Sequence, residues 1–489
     1  MSGDAEDRIR ADRIAKVDAM RAAGVDPYPA RTPARVPVEQ VRERFGGLEA
    51  EAETGERLAL AGRIAARRGH GKAMFLDLAD RTGRLQLHAT VDALGEERYA
   101  ALADTDLGDV IAAVGEVFVS RRGELSLRVA EWHMLAKCLR PLPEKWHGLT
   151  DVELRHRRRY VDLLVNEDSR RVAMARSRMV TAMRAVLDGD GFVEVETPVL
   201  QPIYGGAAAQ PFTTYYNEFE RDFYLRIADE LYLKRLIVGG LERVYEIGKD
   251  FRNESVSFKH NPEFTMLEWY EAYADYGDTM ARIERLVERV AREVLGTTVV
   301  SFRGHEIDLA GPWERIRFVE ALGQHELWTR DPAELRAWLT ERGVDTDADK
   351  DWTQLVDHAF SHFVEPGLIQ PTIVHDYPVE LSPFARPTDD DPTLTERFEY
   401  FAGGMELGNA FTEINEAAMQ QSRFEQQSEQ VEGERGDPDY VEALSYGMPP
   451  TGGLGLGIDR FVMLLTGKES IRDVVLFPAL RQAPAVPPR

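Results

Sequence analysis

The sequence predicts an α+β protein of two domains, a small antiparallel β-barrel followed by a larger domain built on an antiparallel sheet flanked by helices. Three observations predict it. At 489 residues the chain is longer than one hydrophobic core usually serves. From Arg57 to Leu139 apolar residues alternate in five short runs separated by glycine turns, the pattern of half-buried strands joined by tight connections. Beyond residue 190 strand-like runs dominate again, yet no GxGxxG or GxxxxGKS/T element follows any of them, which removes the main support for a parallel nucleotide-binding sheet.

Taken in order, residues 1–52 form an N-terminal helical extension. Residues 5–23 are rich in helix formers, put Ile9, Ile14, Val17 and Met20 on one face, and stop at Gly24, Pro27 and Pro29. Acidic and basic residues nearly balance there, which favours packing on a neighbour over gripping a polyanion. Residues 53–140 hold the five strands, which fit a closed barrel of the OB type. Such barrels stack unpaired bases on exposed rings in a basic groove. Phe75 offers a ring, and Gln86 and Glu124 an amide and a carboxylate to read a base edge; taken alone, Phe75 fits a core position better, because alternating strands bury every second side chain. Residues 141–166 read as a linker, opened by Pro141 and Pro143 and carrying the basic run His156 to Tyr160 as a solvated face.

The second domain covers residues 167–489. Val172, Ala175, Met179, Met183 and Val186 line one face of a helix over 168–188. A strand closed by Pro198 follows, then strands across 223–248, a helix over 277–297, a helical insertion at about 314–368, and strand-rich sequence up to Gly453–Arg460. Residues 481–489 are Pro-rich and read as disordered.

Composition narrows the function. No run of about 18 apolar residues exists and the first ten residues are polar, so neither a spanning helix nor a secretory signal is expected, and the chain is expected in the cytoplasm. Cys138 is the only cysteine, which excludes an internal disulfide and a thiolate zinc cluster. The net charge of −24 opposes a nucleic-acid partner on its face. Its distribution reverses that reading: the first 150 residues carry only −1, and Arg57–Thr90 carries +5, a basic module on an acidic body.

Chemistry concentrates in Gly240–Tyr276, where a strand-like run leads into Phe251-Arg252-Asn253-Glu254, then His260, Asn261 and Phe264, then Glu268 and Tyr270. Glu406 and Glu413 in GGMELGNAFTEINE and the glycine-rich run Gly453 to Arg460 complete the set. Together with GFVEVETP near residue 195 and YGGAAAQPF near 208, these stretches resemble, in order and spacing, the class II aminoacyl-tRNA synthetases, and among them the bacterial lysyl-tRNA synthetases, from the barrel to Pro478.

The resemblance implies lysine, ATP and tRNA(Lys) as partners, Mg²⁺ as cofactor, and a homodimer, since the GFVEVETP motif lies at the subunit interface in that family. It implies that Arg252 grips the α-phosphate and Arg460 the γ-phosphate, the two catalytic residues. Phe264 would stack on adenine, Glu254 would orient its amino group, and His260 and Asn261 would complete the ATP site. Gly206, Glu230, Glu268, Tyr270 and Asn415 would hold lysine, whose cationic tip needs carboxylates and an apolar or aromatic wall. Phe75, Gln86 and Glu124 would read the anticodon. Glu406 and Glu413 would hold Mg²⁺; seven residues apart, they would face opposite sides of a regular strand, so a bulge at Gly408–Asn409 must bring them together. Four positions depart from the commonest family pattern, namely Ser255, Gln210, Tyr215 and Tyr216. A ligase lysylating another acceptor and a silent nucleic-acid-binding paralogue are the other readings; the barrel opposes the first, and intact Arg252, Glu406, Glu413 and Arg460 oppose the second.

Overall fold

The computed structural model describes residues 3–481 apart from 70, 144–148, 208, 255, 324–327, 348–350 and 431–435. Ser255, residues 144–148 of the expected linker and residues 482–489 therefore lie outside the described residues. The chain divides into two compact units, Met1–Leu149 and Thr150–Arg489.

In the first unit, strands β1 (Glu53–Arg68), β2 (Ala73–Ala79), β3 (Arg84–Thr90), β4 (Val110–Val119) and β5 (Leu125–Ala136) close into a barrel in the order β1-β2-β3-β5-β4. Closure leaves no free edge to pair with another chain. Alternation sends Leu60, Met74, Leu76, Leu78, Leu85, Leu87, Ile111 and Leu127 inward. Phe75 is not among them: it stands between Met74 and Leu76 on the outward side. The helix Gly3–Ala22 buries Val17 and packs Met20 on the barrel core, but Ile14 is exposed. Arg13 is buried instead, donating to the carbonyls of Cys138 at 2.9 Å and Arg140 at 3.0 Å, bonds that Ile14 could not make.

Among the described residues, the second unit is built on an eight-stranded sheet. At its middle, Arg243–Phe251 and Glu263–Ala272 form an antiparallel hairpin, Thr451–Gly457 pairs with the latter, and Glu406–Thr412 and Leu394–Phe401 follow. Period-two geometry sends Leu267, Trp269, Leu454 and Leu456 to one face, where helices Glu167–Gly189, Tyr276–Leu295 and Ile458–Thr466 cover them with Met179, Met183, Ile283, Leu286, Val290 and Leu464. Each such side chain removed from water contributes about 1.5–3 kcal/mol. The other face is left for Met266, Glu268 and Tyr270.

Two boundaries differ from expectation. Residues 150–166 are no linker but belong to the second unit as helices Val152–Arg157 and Arg159–Val165. Within His156–Tyr160 only Arg157, Arg158 and Tyr160 are solvated, because Arg159 is buried against Asp162 at 2.7 Å and donates to the Leu476 carbonyl at 3.0 Å, while the buried His156 meets Asp473 at 3.1 Å. The insertion at 314–368 opens with a strand, Glu314–Arg317, that joins the main sheet beside Thr372–Pro378; its helices then bury a separate core of Phe318, Leu322, Leu335, Leu339, Leu355 and Phe360.

Candidate active site and nucleic-acid face

Strand register builds the site. Glu268 pairs with Gly455, Gly455 with Asn409, and Asn409 with Glu399; one step along, Tyr270 pairs with Gly453, Gly453 with Phe411, and Phe411 with Arg397. Two rows of side chains thus cross the sheet with glycine at the middle of each. The glycines keep the floor open: a Cβ on Gly453 would fall 2.0 Å from Glu413 Oε1 and 2.5 Å from the Tyr270 ring.

Two adjoining cavities lie on this face. The first, about 280 Å³, is lined by Gly206, Glu230, Glu268, Tyr270, Asn409 and Phe411, among others. Gly206 holds φ +87°, a conformation side chains resist. Behind the cavity, Lys234 is fully buried between Glu230, at 2.5 Å, and Glu413. Four rings surround its ammonium group, Phe384 and Phe411 at 5.4 Å, Tyr440 at 5.8 Å and Tyr270 at 5.9 Å. Burial by itself would strip the proton from Lys234, but the charges of Glu230 and Glu413 outweigh it and push the pKa up. Lys234 thus fills this group of carboxylates and rings, and what the cavity itself presents in front of it is Glu230, Glu268 and Tyr270.

The second cavity, about 210 Å³, is lined by Arg252, Glu254, Lys259, His260, Asn261, Phe264, Glu406 and Arg460 among others. Its cations suit a polyanion. Arg252 leaves the end of its strand with its backbone N–H on the Pro262 carbonyl at 2.9 Å, and its guanidinium lies over Phe264, 5.1 Å from the ring centre. Arg460 donates to Glu406 at 2.9 Å and meets His260 Nε2 at 3.1 Å, while Ser257 meets the other ring nitrogen at 2.8 Å. Burial, with the positive charges of Arg460 and Lys259, lowers the His260 pKa, so the ring is neutral at neutral pH. Burial would raise Glu406, yet the charge and hydrogen bond of Arg460 prevail and lower it. Arg252 lines both cavities.

Most expected residues thus gather in two groups: Gly206, Glu230, Glu268 and Tyr270 around the first cavity, and Arg252, Glu254, His260, Asn261, Phe264, Glu406 and Arg460 around the second. Three expectations are corrected. Glu406 and Glu413 do not meet; they stand at opposite ends of the strand Glu406–Thr412, roughly 20 Å apart at about 3.3 Å per residue. A bulge is present, between the residues facing Tyr400 and Phe401, but Glu413 is held in the first cavity by Lys234. The carboxylate that senses Glu406 is Glu399, which burial pushes up to about 7, against Arg397 and helped by the charges of Glu406 and Asp357. Asn415 donates to the Met448 carbonyl at 3.2 Å; the asparagine lining both cavities is Asn409. Gln210, Tyr215 and Tyr216 line neither cavity. Sequence reading missed Lys234, Glu399, Asn409 and Phe411, although Asn409, Phe411 and Glu413 recur at the period of two that marks one strand face.

On the barrel, Phe75 stacks on His88 with ring centres 4.7 Å apart, His88 lies 5.9 Å from Phe118, and Arg128 covers Phe118 at 4.5 Å. Beside this ladder Gln86 donates to Ser126 at 2.9 Å, while Glu124 is exposed in the turn before β5. Phe118 is buried under Arg128, so the half-buried Phe75 and His88 rings and the Arg128 cation are what this outer face of the barrel offers to unpaired bases. His88, Phe118 and Arg128 were not foreseen.

Residues 151–481 match the family described as tRNA synthetases class II (D, K and N), and residues 58–135 match the OB-fold nucleic acid binding domain. The chain belongs to the class II tRNA synthetases. Among its relatives, the lysine–tRNA ligase of Moorella thermoacetica is 48% identical over 98% of this chain and 99% of that protein. That of Carboxydothermus hydrogenoformans is 48% identical over 96% and 97%, and that of Halalkalibacterium halodurans 46% over 97% of each.

Proposed function

We infer that this chain is a lysine–tRNA ligase. The lysine carboxylate attacks the α-phosphorus of ATP, the bond to the bridging oxygen breaks, and pyrophosphate leaves lysyl-adenylate behind. The 3′-terminal hydroxyl of tRNA(Lys) then attacks the lysyl carbonyl and releases AMP. The observation that carries this reading is Arg252, the one guanidinium shared by a cavity lined for a cation and a cavity lined for a polyanion. No general base is required, since the attacking carboxylate is already ionised; rate comes from alignment, which supplies roughly 7–11 kcal/mol, and from fixed charge around the phosphate oxygens.

Within this reading Glu230 and Tyr270, on the cavity wall in front of Lys234, face the side-chain ammonium, Glu268 and Gly206 face the α-amino end, and Phe264 packs on adenine. Glu406, on the wall of the second cavity beside Arg460, is the carboxylate that fits Mg²⁺ together with phosphate oxygens, whereas Glu399 is held by Arg397 at 2.6 Å and by the Tyr377 hydroxyl at 2.9 Å. Bound there, Mg²⁺ would neutralise the departing pyrophosphate. Among the described residues no helix is long and apolar enough to cross a membrane, consistent with work in the cytoplasm. A second copy of the chain is the proposed cover for the sheet edge at Val193–Glu194, where Val193, Val199 and Leu200 stand exposed.

The test is lysine-dependent ATP–pyrophosphate exchange followed by transfer of labelled lysine to tRNA, with light scattering on the same sample. Exchange without transfer would point to another acceptor, no exchange would remove the ligase, and a monomer would remove the dimer. Phe75→Ala is expected to lower tRNA charging by about tenfold, one to three kcal/mol per stacked base, while leaving exchange unchanged. Equal loss of both activities would return Phe75 to a purely structural role.

A further inference from the structure

Under the first cavity lies a group of charges that the reaction as described does not use. Arg226, Asp229, Glu246, Asp250 and Glu268 are all buried, Asp229 completely. Asp229, Asp250 and Glu268 each bring an oxygen to within 4.8 Å of the other two. Arg226 hydrogen-bonds to Glu246 at 2.6 Å, Thr197 Oγ1 at 3.0 Å and the Lys249 carbonyl at 3.0 Å, and reaches Asp250 Oδ1 at 3.1 Å and Asp229 Oδ2 at 4.0 Å only as an ion pair. Both oxygens of Asp229 and Oδ1 of Asp250 are left without a hydrogen-bond partner. Glu268 has one oxygen taken by the Tyr270 hydroxyl at 3.1 Å and turns the rest of its carboxyl toward Asp229.

Four buried carboxylates against one guanidinium cannot all stay ionised, because like charges in a water-poor space force protons onto some of them, Asp250 among these with a pKa raised to about 8. Further away, Glu230 and Lys234 face the group from their helix, Arg252 from the end of its strand, and Glu413 from the far side; of these, Glu230, Lys234 and Glu413 neutralise one another in part, and Arg252 belongs to the reacting groups. The surplus negative charge therefore sits at Asp229, Asp250 and Glu268, directly beneath the place where the α-ammonium of an amino acid arrives.

We propose that Asp229 is a positioning residue of the amino-acid cavity acting through Glu268: the two carboxyl groups share one proton while the cavity is empty, and an incoming ammonium group displaces that proton to solvent. Charge stays balanced, one cation leaving as another enters, and Glu268 meets its ligand ionised without being stranded ionised beforehand. Burial raises Asp229 to about 6, and burial with the charges of Asp229 and Asp250 holds Glu268 well above the usual carboxylate range, so the pair keeps a proton at neutral pH. Such a pair titrates as a unit. This inference rests on the reading of the cavity as a lysine site.

Titration calorimetry on the full chain tests it, with lysine as titrant at pH 7 in the presence of EDTA, in phosphate and in Tris, whose ionisation heats differ widely. The wild type is expected to show different apparent enthalpies in the two buffers, corresponding to release of a substantial fraction of one proton per lysine. Asp229→Asn is expected to lose that difference, and its KM for lysine in the exchange assay to become independent of pH between 6 and 8, with kcat little changed. Asp229→Ser serves as the second variant if the amide disturbs folding, and Asp250→Asn, which leaves the pair intact, should retain proton release. Lysine heats that are identical in both buffers for the wild type, or proton release that persists without Asp229, would overturn the proposal. Absence of any lysine heat would overturn it together with the lysine reading.

Discussion

Arg252→Ala is expected to reduce lysine-dependent ATP–pyrophosphate exchange by at least about a thousandfold, the upper end of what one fixed transition-state donor contributes. Arg252 lines both cavities, so its loss removes the group that would neutralise charge gathering on the α-phosphate and also the group that would bring a carboxylate and a phosphate together. Its Nε is buried without a hydrogen-bond partner, as befits a donor aimed at a ligand. The fold should survive, since the backbone contact with Pro262 does not involve the side chain. An unchanged melting temperature with no measurable exchange is the expected pair of results. Substantial remaining exchange would place the reaction centre elsewhere, and Arg252→Lys should recover little, because an ammonium cannot reproduce the planar fork.

Arg226→Met is expected to destabilise the second unit by about 3–5 kcal/mol, the usual penalty for removing one partner of a buried ion pair. The guanidinium is almost completely buried, 2.6 Å from Glu246 and 3.1 Å from Asp250. Methionine fills much of the volume but leaves those carboxylates facing one another. Burial, with the charge of Asp229, already raises Asp250 to about 8. A group whose folded pKa is raised favours folding below its unfolded value, and that contribution is lost as pH rises through the folded value. The variant should therefore lose stability more steeply than wild type between about pH 5 and 8. Urea denaturation at pH 5 and pH 8 reads both effects, and a cost below about 1 kcal/mol at either pH would mean the acids are neutral by other means.

The barrel was legible because its period of two is local and its turns are marked by glycine. Both cavities were legible in outline for another reason: half the lining of the second, and Glu268 and Tyr270 of the first, lie in one hairpin, Arg243–Ala272, whose spacing survives into space. Failures came where the third dimension decides. Glu413 and Glu399 are each seven residues from Glu406, one after and one before, and spacing gives no preference. The hairpin between Leu394–Phe401 and Glu406–Thr412 folds Glu399 back toward Glu406 and carries Glu413 away to Lys234. Arg159 and His156 looked solvated because a basic run carries no mark of the carbonyls and of Asp473, more than 300 residues downstream, that satisfy them. In sequence Phe75 stands between an outward ring and a core position, because alternation cannot choose the face when both neighbours are apolar, and it is the outward side that it takes.

The two rows of side chains across the sheet also govern when activity can first exist. Glu268, Gly455 and Asn409 become neighbours only after Thr451–Gly457 has slotted between its two partner strands. A chain still emerging from the ribosome has no finished floor for either cavity until that late strand is free of the exit tunnel, although the hairpin with Arg252 is made long before. Premature termination products and early folding intermediates therefore cannot capture lysine or hydrolyse ATP idly, and the appearance of exchange activity during refolding should report insertion of this last central strand.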